Sequence, residues 1–188
     1  MHSSPPFSRE EYLRRQSALL AQIDTSTVLL IPTNPVMRRS HDVNFPYRAS
    51  SSILYLSGWG EPNALFAAWH DKGEWVTALF VRDKDEAAER WEGRRVGVQG
   101  ALDNWPVDRA FPHPSRLEVL QPILEKRTTV ALLQGFDKDV DEFVIEMIAE
   151  RNRSKTVTGR GPSCRPGQSA QRCRVLVAKY ASGSCMEI

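Results

Sequence analysis

No apolar run in the 188-residue chain approaches the roughly 18 residues needed to span a bilayer, so a membrane-embedded role is not expected. Residues 1–7 have neither a basic start nor an apolar stretch; no secretory leader is read there, and a cytoplasmic address is the default expectation. Cysteine is scarce and badly placed for structure. The three, Cys164, Cys173 and Cys185, all fall in the last segment; an odd count argues against a disulfide framework, and their spacing fits no paired Cys-x-x-Cys zinc pattern. Histidine is equally sparse. Of the four, His41 beside Asp42 is the best placed, and neither His70 nor His113 has a second ligand at helical spacing, so each reads as a lone surface histidine. A strong charge of one sign is also missing. Residues 156–188 hold five basic residues (Arg160, Arg165, Arg172, Arg174, Lys179) and one acid, Glu187, which leaves the rest mildly acidic and without a footprint for nucleic acid. Gly93, Gly97 and Gly100 form no strand-to-helix phosphate loop, and no Ser-His-Asp or Cys-His arrangement suggests itself.

What is present describes a globular domain. Hydrophobic residues make up 41% and charged residues 26% of the chain, and its length suits one domain with a tail. Ser8-Arg-Glu-Glu11 is a capping box with Phe7 and Tyr12 at the staple positions, predicting a helix from about Arg9 to Ile23. Val28–Ile31, Ile53–Leu56, Leu65–Trp69, Trp75–Val81 and Thr128–Leu133 read as strands, and Thr33 to Ser52 as a long loop of the kind that is usually functional. Asp83 to Trp91 has helical composition. Ser115-Arg-Leu-Glu118 reads as a second capping box, opening a helix that Pro122 is expected to kink or restart. Val140, Phe143, Val144, Met147 and Ile148 recur with the helical period, predicting an amphipathic helix over Asp139–Asn152. The order predicts an α/β fold, three-layer-like, with a central mixed sheet flanked by helices on both faces.

Two blocks carry more than fold. The first is Arg39-Ser-His-Asp-Val-Asn-Phe-Pro-Tyr-Arg48, leading through Tyr55 to Gly58-Trp-Gly-Glu-Pro62. The second is Arg82-Asp83 followed by Glu89-Arg-Trp-Glu-Gly-Arg-Arg95. Together, over roughly residues 8–152, they resemble the amino-terminal domain of aminopeptidase P, the Xaa-Pro aminopeptidase of the creatinase and prolidase group. One departure is Ala49, where that family usually carries Gln.

The resemblance implies the creatinase-type amino-terminal fold over residues 1–155 and the role of a domain that shapes a substrate pocket. The full family enzyme removes the residue preceding proline from peptides. It depends on manganese, with two divalent ions bound by two Asp, one His and two Glu of a carboxy-terminal domain, and it is a homo-oligomer. The resemblance places Asp42 and Trp91 nearest the peptide, with Arg39, Tyr47 and Arg48 supporting the loop. A carboxylate there can hold a substrate-binding arginine, and an indole can wall a side chain next to proline. Read alone, Asp42 is equally a turn former and Trp91 a core or interface anchor. The pairs Arg94-Arg95 and Arg38-Arg39 read as solvated faces or intramolecular salt bridges.

Past Glu150 the chain has one acid and no histidine, so no dinuclear metal cluster, no resident cofactor and no catalytic residue is expected in it. The chain alone is predicted to be inactive. Residues 156–188 are expected to be an irregular, disordered or non-native tail, with Arg174–Tyr180 its one candidate element. The alternative function is a standalone interaction domain that binds a full-length or catalytic partner subunit. No nucleic acid or membrane partner is expected.

Overall fold

The computed structural model describes residues 4–158, 174–178 and 185–187. In chain order the elements are α1 (Arg9–Leu20), β1 (Thr27–Pro32), β2 (Arg38–Ser40), β3 (Val43–Asn44), α2 (Ser51–Ser57), β4 (Leu65–Asp71), β5 (Glu74–Val81) and α3 (Glu86–Glu92). There follow α4 (Gly97–Asn104), β6 (Arg109–Pro112), a 3-10 turn (His113–Ser115), α5 (Arg116–Glu125), β7 (Thr129–Leu132), α6 (Lys138–Thr158), β8 (Arg174–Ala178) and β9 (Cys185–Glu187). The main sheet runs β6-β5-β4-β1-β7-β8-β9, and β2 and β3 form a separate hairpin. The pairs β1–β7, β5–β6 and β7–β8 are parallel; β1–β4, β4–β5 and β8–β9 are antiparallel. The sheet is therefore mixed, with helices on both faces.

Alternation along the central strands builds two cores. Val28 and Leu30 of β1, Leu65, Ala67 and Trp69 of β4, and Ala78 and Phe80 of β5 face α5 and α6, meeting Leu120, Leu124, Val140, Val144 and Ile148. Their neighbours Leu29, Ile31, Phe66, Ala68, Leu79 and Val81 face the other way, onto Leu20, Ile53, Leu56 and Ala101. Every residue of β1 is buried, which explains why this strand reads as a continuous apolar run rather than an alternating one. Trp59 and Trp105 fill the second core, with ring centroids 5.0 Å apart in an edge-to-face pair. Among the described residues no helix is long and apolar enough to cross a membrane.

Helix ends follow local chemistry. Ser8 Oγ accepts the Glu11 amide at 3.3 Å and the Phe7 and Tyr12 rings pack edge to face, but Glu11 turns its carboxylate to Arg14 and Arg15, so only half of the predicted box forms. α1 ends at Leu20, short of Ile23, in a turn. Ser115 does not cap α5. It closes the 3-10 turn and donates its hydroxyl to the Pro112 carbonyl, and α5 runs as one helix through Pro122.

One predicted strand is corrected. Ile53–Leu56 lies in α2, because Ser50 caps the segment by accepting the Ile53 amide and Gly58 terminates it in the left-handed region. A short apolar run reads the same way for a buried helix turn and for a strand, and the caps decide. The long loop predicted from Thr33 to Ser52 contains the β2–β3 hairpin. α4 and β6 were not predicted. α6 begins at Lys138 and extends to Thr158. β8 lies within Arg174–Tyr180, β9 is a second element in the tail that was not expected there, and the remaining expectations for the tail fall outside the described residues.

Candidate functional site

The registers Pro32↔Leu65, Leu65↔Phe80, Val81↔Pro112 and Leu30↔Leu132 bring the carboxyl ends of β1, β5, β6 and β7 and the amino end of β4 to one end of the sheet. Both sequence blocks leave from that end.

In the first block, Tyr47 is the brace. Its hydroxyl shares a 2.6 Å hydrogen bond with Thr33 Oγ1 and donates to the Glu61 carbonyl at 3.4 Å, tying the return of the long loop to the end of β1. Burial pushes the Tyr47 hydroxyl above its ordinary pKa, partly offset by the Thr33 bond and the charge of Arg82. Arg48 is exposed; it donates to Ser51 Oγ at 3.1 Å, and its carbonyl accepts from Asn34. Arg39 stands on the hairpin with its guanidinium 6.0 Å from the Phe45 ring centroid. Asp42 is exposed at the hairpin turn, beside His41 at φ +37°. Aspartates that shape turns bond to nearby amides, as Asp24 does to Ser26 at 2.7 Å; Asp42 makes no hydrogen bond or ion pair among the described residues.

Glu61 joins the two blocks. It is 5% exposed, its Oε1 accepts the Val96 amide at 3.0 Å, and its Oε2 lies 3.6 Å from Arg82. Arg82 also reaches Glu92 at 2.9 Å, and Arg95 meets the same Glu92 oxygen at 2.9 Å. The hydrogen bond from Arg95 leads the effects that hold the Glu92 carboxyl below the ordinary range. Arg95 is thus an intramolecular ion-pair residue. Trp91, one position before Glu92, points away from all of this and is 91% exposed, which excludes the core-anchor role. The structure brings Tyr47, Glu61, Arg82, Glu92 and Arg95 into one connected set. Arg39, Asp42, Arg48 and Trp91 lie outside it, on the hairpin, its base and α3.

A second feature of this end was missed in the sequence. Arg116 is 8% exposed and makes paired bonds to Asp137 at 3.0 and 3.2 Å, a 2.7 Å bond to Asp139, and a 3.2 Å bond to the His113 carbonyl. His113 Nε2 is 3.5 Å from Asp137. Burial raises the Asp137 carboxyl, but hydrogen bonds from His113 and Arg116, with the Arg116 charge, outweigh it and bring it down to about 2. These groups floor a cleft of about 580 Å³ whose other wall includes Thr33, Asn34 and Asn63. A smaller groove of about 400 Å³ runs between Met37, Phe45, Tyr47 and Arg48. Among the described residues no three His, Cys, Asp or Glu side chains are grouped so as to hold a metal ion. The described residues do not fit a two-metal centre.

The chain is thus an α/β domain whose motif-bearing loops gather at one end of a mixed sheet. The family model for the aminopeptidase P N-terminal domain matches residues 12–132. The Xaa-Pro aminopeptidase of Escherichia coli strain K12 is 36% identical over 129 residues, covering 68% of this chain and 29% of the relative. Among solved structures, a low-pH form of E. coli aminopeptidase P superposes with a TM-score of 0.72 at 31% identity, covering 81% of this chain and 35% of that one. Proline aminopeptidase P II from Yersinia pestis gives a TM-score of 0.72 at 28% identity, covering 93% and 37%. The chain belongs to the aminopeptidase P amino-terminal domain family. It spans less than a third of the length of the curated relative.

Proposed function

We propose that this chain is the substrate-facing amino-terminal domain of an Xaa-Pro aminopeptidase, shaping the mouth of a pocket in which the residue before proline is released. The carrying observation is Trp91: a large aromatic that is 91% exposed on a helix whose next residue, Glu92, is held by two arginines. An indole in water contributes little to stability, so its presence is best accounted for by something that it meets. The unpaired carboxylate of Asp42 supports the same reading, as an acceptor for a cationic group of a peptide or of an adjoining domain. Exposed Met37, Val43 and Phe45 on the hairpin support contact with another domain or subunit of a homo-oligomer. Two divalent manganese ions, held by a carboxy-terminal domain of the full enzyme and not by this chain, and a cytoplasmic address belong to this proposal.

The test joins residues 1–158 to the carboxy-terminal part of the E. coli relative and measures cleavage of an Xaa-Pro peptide. Trp91→Ala in that protein is expected to lower kcat/KM by about tenfold, equivalent to ~1.4 kcal/mol, while unfolding stability moves by less than about 0.5 kcal/mol. Unchanged kcat/KM, or a joined protein with no Xaa-Pro cleavage, would count against the proposal. The 188-residue chain alone is expected to cleave nothing, with or without added manganese.

A further inference from the structure

α3 is attached differently from every helix that packs on the sheet. None of its seven residues is buried; Ala88 and Glu89 alone are half-buried. It is also complete in itself. Asp85 caps its start by accepting the Ala87 and Ala88 amides at 3.0 and 3.2 Å, and Gly93 closes its end by donating to the Glu89 carbonyl at 3.1 Å. On one side it is joined through Asp83 and Lys84, both exposed; on the other through Gly93 at φ +89°, a backbone state that favours glycine. A seven-residue helix that buries no side chain has little beyond its caps to keep it wound once it leaves the body, so lifting it and loosening its own hydrogen bonds go together.

What holds it down is charge. Glu92 is shared by Arg82, which is rooted on the buried Glu61 beyond the end of β5, and by Arg95, which lies past Gly93 and also donates to the Asp83 carbonyl at 3.2 Å. The two arginine side chains are 14% exposed and the Glu92 side chain 52%, so the shared carboxylate is the solvent-facing member. We propose that α3 is a flap that swings on its two flanking segments and is latched by the Arg82–Glu92–Arg95 clasp, so that ionic strength sets how long Trp91 stays in the position seen. Lifting α3 exposes little apolar surface and breaks two ion pairs at a wet carboxylate, whereas lifting α5 or α6 would open a core. The clasp stands whatever Trp91 meets, so its failure would leave the proposed function untouched.

Hydrogen exchange of the 188-residue chain at fixed pH tests it. Amides of residues 89–93 are expected to exchange about tenfold faster in roughly 0.5 M than in roughly 20 mM salt, while those of β4 and β5 are unchanged. Glu92→Gln is expected to make the same amides fast at both salt concentrations. Arg95→Gln, which leaves Arg82 on Glu92, should give an intermediate rate. Salt-independent exchange of α3 in the unaltered chain would overturn the proposal. So would unchanged α3 exchange in Glu92→Gln, or acceleration of α3 and the sheet together, which would mean that the helix opens only when the domain unfolds.

Discussion

Arg116→Ala is expected to lower the unfolding free energy by about 3 kcal/mol, or roughly 6–12 °C in melting temperature for a domain of this size. The arginine is buried and bonded at once to Asp137, Asp139 and the His113 carbonyl. Truncating it leaves the Asp137 carboxylate, itself largely covered, without its strongest partner. Breaking one side of such a pair costs more than the pair was worth, because the survivor must be desolvated alone. Since Asp139 is mostly exposed, water compensates part of the loss, which places the estimate at the low end for buried pairs. A pH profile separates this from simple loss of packing. With its carboxyl lowered to about 2, Asp137 stabilises the fold above the ordinary carboxylate range near pH 4, and that contribution is lost as the pH falls towards 2, because the unfolded chain takes up the proton first. In Arg116→Ala this acid-dependent part should shrink. A change below about 1 kcal/mol by thermal unfolding, with an unaltered acid limb, would show the cluster to be peripheral.

Gly58→Ala should be comparably damaging, at about 2–5 kcal/mol. Gly58 ends α2 at φ +71°, where an L side chain is strained by about 1–2 kcal/mol. A Cβ there would lie 2.5 Å from the Tyr12 hydroxyl oxygen and 2.8 Å from Cζ. The Tyr12 ring is fully buried, so making way for the new carbon adds an overpacking cost of about 1–3 kcal/mol. Gly73→Ala is the matched control, with φ +97° and nothing within 4 Å of the added carbon. Urea unfolding should show Gly58→Ala losing clearly more than Gly73→Ala. Equal losses would mean that the backbone state alone matters and that α1 yields.

Which features were legible in the sequence follows from the range of the interactions that fix them. The strands β1, β4, β5 and β7 were readable because both of their faces are covered, leaving apolar runs without a helical period. The face of α6 was readable because Val140, Val144 and Ile148 repeat on one side. Ile53–Leu56 was misread because four apolar residues carry no period, and the deciding signals, Ser50 and Gly58, stand just outside the run. β6 escaped because it is a four-residue edge strand ending in Pro112, and α4 because Gly97 and Gly100 sit inside it. The blocks containing Glu61, Arg82, Trp91 and Arg95 stood out by resemblance, but nothing local shows that Glu61 couples them. Arg116 opens α5 and Asp137 stands in the segment before α6, 21 positions later, and only the common end of β6 and β7 makes them partners.

The centre of the sheet also dictates an order of assembly. β4 and β5 are neighbours in sequence and meet across a tight turn at Asp71↔Glu74, so their pairing closes a minimal loop. β1 is made first of all the strands, yet one of its two ladders is with β7, Thr27↔Thr129, about a hundred residues later. Pulse-labelled exchange during refolding should accordingly protect β4 and β5 before β7. On the ribosome, a chain paused between Val81 and Thr129 would present a finished hairpin next to a largely apolar strand with one open edge. That intermediate is the state of this molecule best able to capture a second copy of itself.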